Sequence, residues 1–72
     1  MKKYLVVYEK SKEGYSAYVP DLPGCTSAGS SREEIDTNIL EAIGLYMEVL
    51  KEDGLLIPEP TSYGENLVFS EI

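Results

Sequence analysis

The sequence predicts an α+β domain in which three antiparallel strands precede one amphipathic helix and a further strand. Three observations predict this class: two early segments alternate with the period of a strand, one long segment has the period of a helix, and proline or glycine separates them. The chain has 72 residues, which suits one domain over residues 1–72 without a second domain or a repeat.

The first two strands are expected over about residues 2–10 and 14–20. β-branched and aromatic residues dominate the first segment and fall on both of its faces, while the second alternates apolar with polar residues. The polar residues 11–14 between them predict an antiparallel hairpin. Pro20 is expected to end the second strand, because proline donates no hydrogen bond to a sheet.

A tight turn is expected in the segment LPGC. Pro23 fits the first central position of a type II turn because its ring presets φ, and Gly24 fits the second because that position needs a positive φ. The small residues that follow predict a third strand over about residues 25–29. Cys25 is the only cysteine, so it cannot form an internal disulfide, and we expect it to be a small buried residue.

The helix is expected over about residues 31–53. Ser30 and Ser31 each precede a glutamate by three residues, which is the capping-box pattern. Gly54 follows as a C-cap. Apolar residues recur at helical spacing in one stripe that is expected to be buried: Ile35, Ile39, Ala42, Ile43, Tyr46, Val49 and Leu50. After a connector that contains two prolines, residues 65–71 predict the last strand, with apolar side chains on both faces.

Charge is distributed unevenly along the chain. The first 29 residues hold four lysines and three acidic residues, whereas the rest holds two basic and ten acidic residues. An acidic second half would repel phosphate backbones, so we expect no direct nucleic-acid binding. It would attract a basic protein, although an acidic surface also serves solubility alone.

Two rows of residues on the predicted helix are candidates for partner contacts. One flank gathers four glutamates with no interleaved lysine, and we call this row the acidic ridge: Glu34, Glu41, Glu48 and Glu52. The ridge suits docking of a basic partner, and the alternative is an ordinary solvated face. The other flank carries Leu40, Gly44 and Met47, interpreted as a self-association surface because a mid-helix glycine allows another backbone to approach closely. The alternative is that Leu40 and Met47 border the core and Gly44 is merely tolerated.

No catalytic, cofactor-binding or metal site is expected. The chain has no histidine, so nothing adjacent would lower the pKa of the Cys25 thiol, and Asp21 has no partner acid or nucleophile. The acidic residues lie mainly on one helix and do not converge from several elements, as a two-metal site requires. No apolar run suits a signal sequence or a membrane span, so we expect a cytoplasmic binding protein with no membrane partner.

Three linked features resemble the HicB-like antitoxin family. They are the segment PDLPGC, the Ser-x-x-Glu start of the helix, and the segment EDG that leads to IPEP, in this order over about residues 4–60. The resemblance implies a fold like part of ribonuclease H, built from the three-stranded sheet, the helix and the further strand, without nuclease activity. It also implies a small basic mRNA-cleaving toxin as partner. Many members carry a C-terminal DNA-binding module, which we do not expect in this chain.

We therefore expect an antitoxin-like module that neutralises a small basic toxin by direct contact. The contact would use the acidic ridge and the exposed part of the turn, chiefly Asp21 and Leu22. The alternative is an orphan homo-oligomeric domain with a structural or regulatory role and no toxin. A dimer or tetramer is expected in either case, because a chain this short buries only about 60% of its unfolded surface.

Overall fold

The computed structural model describes residues 1–71, and Ile72, the last residue of the expected domain, lies outside them. Its elements are, in chain order, β1 (Val7–Ser11), β2 (Gly14–Tyr18), β3 (Thr26–Gly29) and α1 (Arg32–Glu52). The strands form one antiparallel sheet in the order β1-β2-β3, and α1 packs against β2 and β3. The α+β class and the order of the first four elements are confirmed.

The first strand begins later than expected. Residues 2–6 lie outside the hydrogen-bonded sheet, and the register pairs Val7 with Tyr18, the last residue of β2. Beyond that pair, Val19 continues the pairing toward β3, since its N–H donates to the carbonyl of Cys25 at 3.1 Å. In the register of β1 and β2 the next residue to face β1 would be Pro20, which has no N–H to donate.

Pro23 and Gly24 form the predicted type II turn. The N–H of Cys25 donates to the carbonyl of Leu22 at 2.9 Å, and Gly24 has a φ of 84°, as the second central position requires. This closure turns both flanking side chains inward, so that Leu22 is 0% exposed and Cys25 4%.

The caps of α1 agree with the predicted helix ends. Ser31 is the N-cap, and its Oγ accepts the N–H of Glu34 at 3.1 Å. The Glu34 carboxylate accepts the N–H of Ser30 at 2.8 Å, one residue further back than in a standard capping box. At the other end Gly54 has a φ of 67°, and two backbone hydrogen bonds close a Schellman motif around it.

The core lies between α1, the sheet and the turn. Its fully buried members are all small or aliphatic, or the single cysteine: Ala17, Val19, Leu22, Cys25, Ile35 and Ile39. β3 and α1 approach so closely at Gly29 that a Cβ there would lie 2.8 Å from the backbone nitrogen of Ile35. A side chain at this position would force the helix away from the sheet.

Residues 55–71 form neither helix nor strand. The expectation of a strand over residues 65–71 is therefore wrong for the single chain. A strand needs a neighbour for its backbone hydrogen bonds, and none of residues 1–71 pairs with this segment. The ribonuclease H-like arrangement, which depends on that strand, stays a prediction.

Candidate protein-binding surface

The acidic ridge is a solvent-exposed row along α1. All four of its glutamates are exposed, although the Glu34 carboxylate is engaged at the helix start, where it accepts the N–H of Ser30. Within residues 1–71, Glu41, Glu48 and Glu52 make no ion pair. Their charges are thus available to a partner.

An apolar groove of about 440 Å³ lies beside the ridge, between α1 and the turn. Leu45 and Val49 line it from the helix, and residues 24–26 line it from the turn. Leu45 is 64% exposed and Val49 is 55% exposed. Since residues three and four apart are neighbours on a helix, Leu45 lies directly between Glu41 and Glu48. The surface therefore combines an apolar strip with a row of negative charge, which suits a basic partner that also presents apolar side chains.

Sequence reasoning missed this groove. It assigned Val49 to the buried stripe and gave Leu45 no role. The available signal was the position of Leu45, four residues after Glu41 and three before Glu48, which already places an apolar side chain within the ridge.

Asp21 has a structural role that the sequence analysis did not foresee. Its carboxylate accepts the N–H groups of Thr61 and Ser62, both at 2.9 Å, and their hydroxyl groups at 2.8 and 3.2 Å. The bond from the Ser62 backbone, followed by that from the Thr61 hydroxyl, lowers the pKa of the Asp21 carboxyl. Asp21 thus ties the C-terminal connector to the turn, and its carboxylate is already occupied.

The expectation that Leu22 is exposed is wrong. Its side chain is 0% exposed, because the type II turn folds it against the core. Leu22 therefore cannot contribute to a partner surface in this conformation.

The residues of the proposed self-association surface do not share one environment. Leu40 is 70% exposed, and a Cβ at Gly44 would meet nothing within 4 Å. Met47 instead packs partly buried against the core. Self-association through this flank stays a prediction, and Met47 has a sufficient role within the single chain.

Arg32 fastens the start of α1 to β1. Its Nε donates to the Asp36 carboxylate at 3.0 Å, and its guanidinium lies 4.2 Å from the ring centre of Tyr8. The hydrogen bond from Arg32 is the main reason that the pKa of Asp36 is lowered, while burial is the main reason that the pKa of Tyr8 is raised. This cluster is accounted for by the packing of helix on sheet.

Burial raises the pKa of the Cys25 thiol, which disfavours the reactive thiolate. Among residues 1–71, no group of three or more His, Cys, Asp or Glu side chains could hold a metal ion. In the same part of the chain, no helix is both long and apolar enough to cross a membrane.

Comparison with known proteins identifies relatives over most of the chain. It is 53% identical over 49 residues to a UPF0150 protein of Helicobacter pylori, covering 68% of each protein. It is 30% identical over 66 residues to Antitoxin HicB 2 of Photorhabdus laumondii, covering 92% of this chain and 48% of that protein. The chain therefore spans about half the length of that antitoxin.

A solved structure of a HicA3 and HicB3 toxin-antitoxin complex contains a chain of similar fold. It matches with a TM-score of 0.71 and 33% identity, covering 83% of this chain and 70% of that one. The family model of the HicB-like antitoxin of bacterial toxin-antitoxin systems matches residues 4–70. The resemblance found in the sequence is thus confirmed, and the chain belongs to the HicB-like antitoxin family.

Proposed function

We propose that this protein neutralises a small basic mRNA-cleaving toxin by direct contact, and that the acidic ridge and the adjoining apolar groove form the contact surface. The observation that carries the proposal is the exposed Leu45 between Glu41 and Glu48. Membership of an antitoxin family and similarity to a chain of a toxin-antitoxin complex support it.

The two parts of this surface have different physical roles. Complementary charge mainly raises the rate of encounter and selects the partner, and salt weakens it. Burial of apolar surface contributes about 25 cal/mol per Å² and lengthens the lifetime of the complex. Leu45 and Val49 are both more than half exposed, so a partner in the groove would bury much of their apolar surface.

Neutralisation follows from competition for the same basic groups. A toxin that cleaves mRNA must bind phosphates with basic side chains. When the acidic ridge pairs with those side chains, they are no longer available to the RNA backbone. Contact therefore inhibits the toxin without any chemistry by the antitoxin, and it takes place in the cytoplasm, where mRNA is.

The test is coexpression with the protein encoded by an adjacent short basic reading frame, together with binding of the two purified proteins. We expect the wild-type chain to restore growth. Glu41→Lys should weaken binding about tenfold, which is about 1.4 kcal/mol, chiefly through slower association at low salt. Leu45→Asp should instead speed dissociation, because it removes apolar contact.

Glu13→Lys is the matched control, since it makes the same change of charge at an exposed position on the hairpin. Binding by this variant should stay close to that of the wild type. Equal loss of binding affinity in the Glu13 and Glu41 variants would show that net charge, and not the position of the ridge, determines binding. A basic neighbour whose toxicity the wild-type chain leaves unchanged would favour the orphan domain instead.

A further inference from the structure

The C-terminal arm, residues 65–71, is an uncovered apolar segment. Every residue in it is exposed, and Leu67, Val68 and Phe69 are 79%, 102% and 88% exposed. These three consecutive residues favour a strand, as the sequence predicted. A β-prone segment whose apolar side chains are exposed in its own chain is a candidate for pairing with another.

A groove of about 530 Å³ lies beside the start of β1. It is lined by residues 5–8, of which Val7 and Tyr8 belong to β1, by Arg32 at the start of α1, and by residues 64–66. Within residues 1–71, β1 pairs only with β2, so the backbone groups on its other edge have no strand to bind. The groove therefore has the features of an empty position in the sheet.

The connector brings only the start of the arm to the groove of the same chain. Asp21 holds Thr61 and Ser62, the hydroxyl of Tyr4 donates to the carbonyl of Pro58, and a Cβ at Gly64 would lie 3.6 Å from the side chain of Leu5. From this anchor the first two residues of the arm, Glu65 and Asn66, line the groove, whereas residues 67–71 are not among its lining residues. The apolar part of the arm thus lies outside the groove of its own chain.

The dimensions of the chain agree with an arm that extends from the domain. A compact chain of 72 residues has a radius of gyration of about 11 Å. The observed radius is 14.3 Å, and the molecule measures 53 × 26 × 18 Å. Much of its length therefore lies outside the packed core.

We propose that the arm of one copy fills the β1-edge groove of a second copy and becomes the fourth strand of that copy's sheet, while the second arm does the same in return. Each copy offers one arm and one groove, so the exchange closes as a two-fold dimer. The arm begins with Glu65 and ends with Glu71, whereas Lys3 and Lys10 flank residues 4–9 of the receiving segment, so the charges are complementary. The predicted last strand would then form between chains.

The first test is the mass of the purified protein by light scattering with Phe69→Asp as the variant. We expect a wild-type dimer and a Phe69→Asp protein whose dimer is weaker by about tenfold or more, because a charge would enter an apolar strand contact. Phe69 is exposed in the single chain, so the circular dichroism of the variant should show an intact fold.

Tyr63→Asp is the matched control, since this aromatic is 92% exposed and precedes the arm. It should remain a dimer, as should Met47→Glu on the flank of α1. A monomeric wild type, or equal dissociation of the Tyr63 and Phe69 variants, would overturn the proposal. Dissociation by Met47→Glu alone would assign the interface to the helix.

The second test locates the arm in a mixed dimer. A chain with Cys25→Ala and a spin label on Ser70→Cys is mixed with an isotopically labelled wild-type chain. Amide signals of residues 5–8 in the isotopically labelled chain should broaden. Broadening at β3 or at the groove around Leu45 would overturn the proposal. An unbroadened spectrum of the isotopically labelled chain would overturn it as well, because an arm that folds back on its own chain leaves its partner's residues 5–8 unaffected.

Discussion

Asp21 joins the turn to the C-terminal connector, two segments about forty residues apart in the chain. Four donors from Thr61 and Ser62 surround its carboxylate, and these bonds favour the charged form. Together with Tyr4, whose hydroxyl donates to the carbonyl of Pro58, this side chain determines where the connector passes. A residue first interpreted as a recognition group is therefore a positioning residue within the chain.

The lowered pKa of Asp21 predicts a loss of stability in acid. A carboxyl with a lower pKa in the folded state than in the unfolded state stabilises the fold above its unfolded pKa, and this contribution declines as pH falls through the folded value. Asp21→Asn should lower the free energy of unfolding near neutral pH and flatten its decline below about pH 4. Urea unfolding across pH measures both effects.

Glu41→Gln is the control for Asp21→Asn, since it removes the same charge from an exposed side chain. Its acid profile should follow that of the wild type. If the two variants lose the same stability at every pH, the hydrogen bonds of Asp21 do not favour the folded state.

Two glycines have opposite effects on the fold. Gly29 lies where β3 meets α1, and Gly44 lies on the exposed face of α1. A Cβ at Gly29 would lie 2.8 Å from the Ile35 nitrogen, whereas a Cβ at Gly44 would meet nothing within 4 Å. Gly29 therefore allows the two elements to pack. Gly44 weakens the helix without any packing benefit in the single chain.

Alanine at these two glycines should change stability in opposite directions. Gly29→Ala should destabilise the fold by about 1 to 3 kcal/mol through overpacking against backbone. Gly44→Ala should stabilise it by about 0.5 to 1 kcal/mol, the difference in helix propensity. Urea unfolding of both variants measures the contrast. A change of assembly mass in the Gly44 variant would instead indicate that another chain approaches that face.

The whole molecule combines a small core with an arm whose apolar side chains are exposed. The buried set lies within residues 17–39, whereas apolar side chains remain exposed from the groove beside the ridge to residue 69. A chain of this size gains little stability from burial alone. Assembly would cover the arm, and contact with a toxin would cover the ridge and its groove, so the two proposed interfaces use separate surfaces.

Exchange of arms predicts that thermal stability depends on protein concentration. Binding of a second copy to the folded state stabilises that state by mass action. The melting temperature of the wild type should therefore rise with concentration, whereas that of a chain ending at Gly64 should stay constant. A melting temperature that does not change with concentration in either protein would contradict stabilisation by exchange of arms.

Most of the secondary structure was predictable because its signals act over a few residues. Gly24 sets the turn through its own φ, Ser31 caps the helix through a neighbour three residues away, and Gly54 ends it in the same local way. The acidic ridge was predictable for the same reason, since helical periodicity alone places its members together.

The parts that could not be predicted depend on contacts between distant segments. Composition, charge and local patterning were enough for the fold class, the order of the first four elements and the ridge, and three short motifs carried the resemblance to the family. The tertiary structure decided that Leu22 is buried and that the Asp21 carboxylate accepts hydrogen bonds from Thr61 and Ser62. It also formed the groove that Leu45 lines. Residues 65–71 have the composition of a strand, but a strand forms only where another backbone completes its hydrogen bonds, and that condition depends on the positions of other segments rather than on the residues of the strand itself.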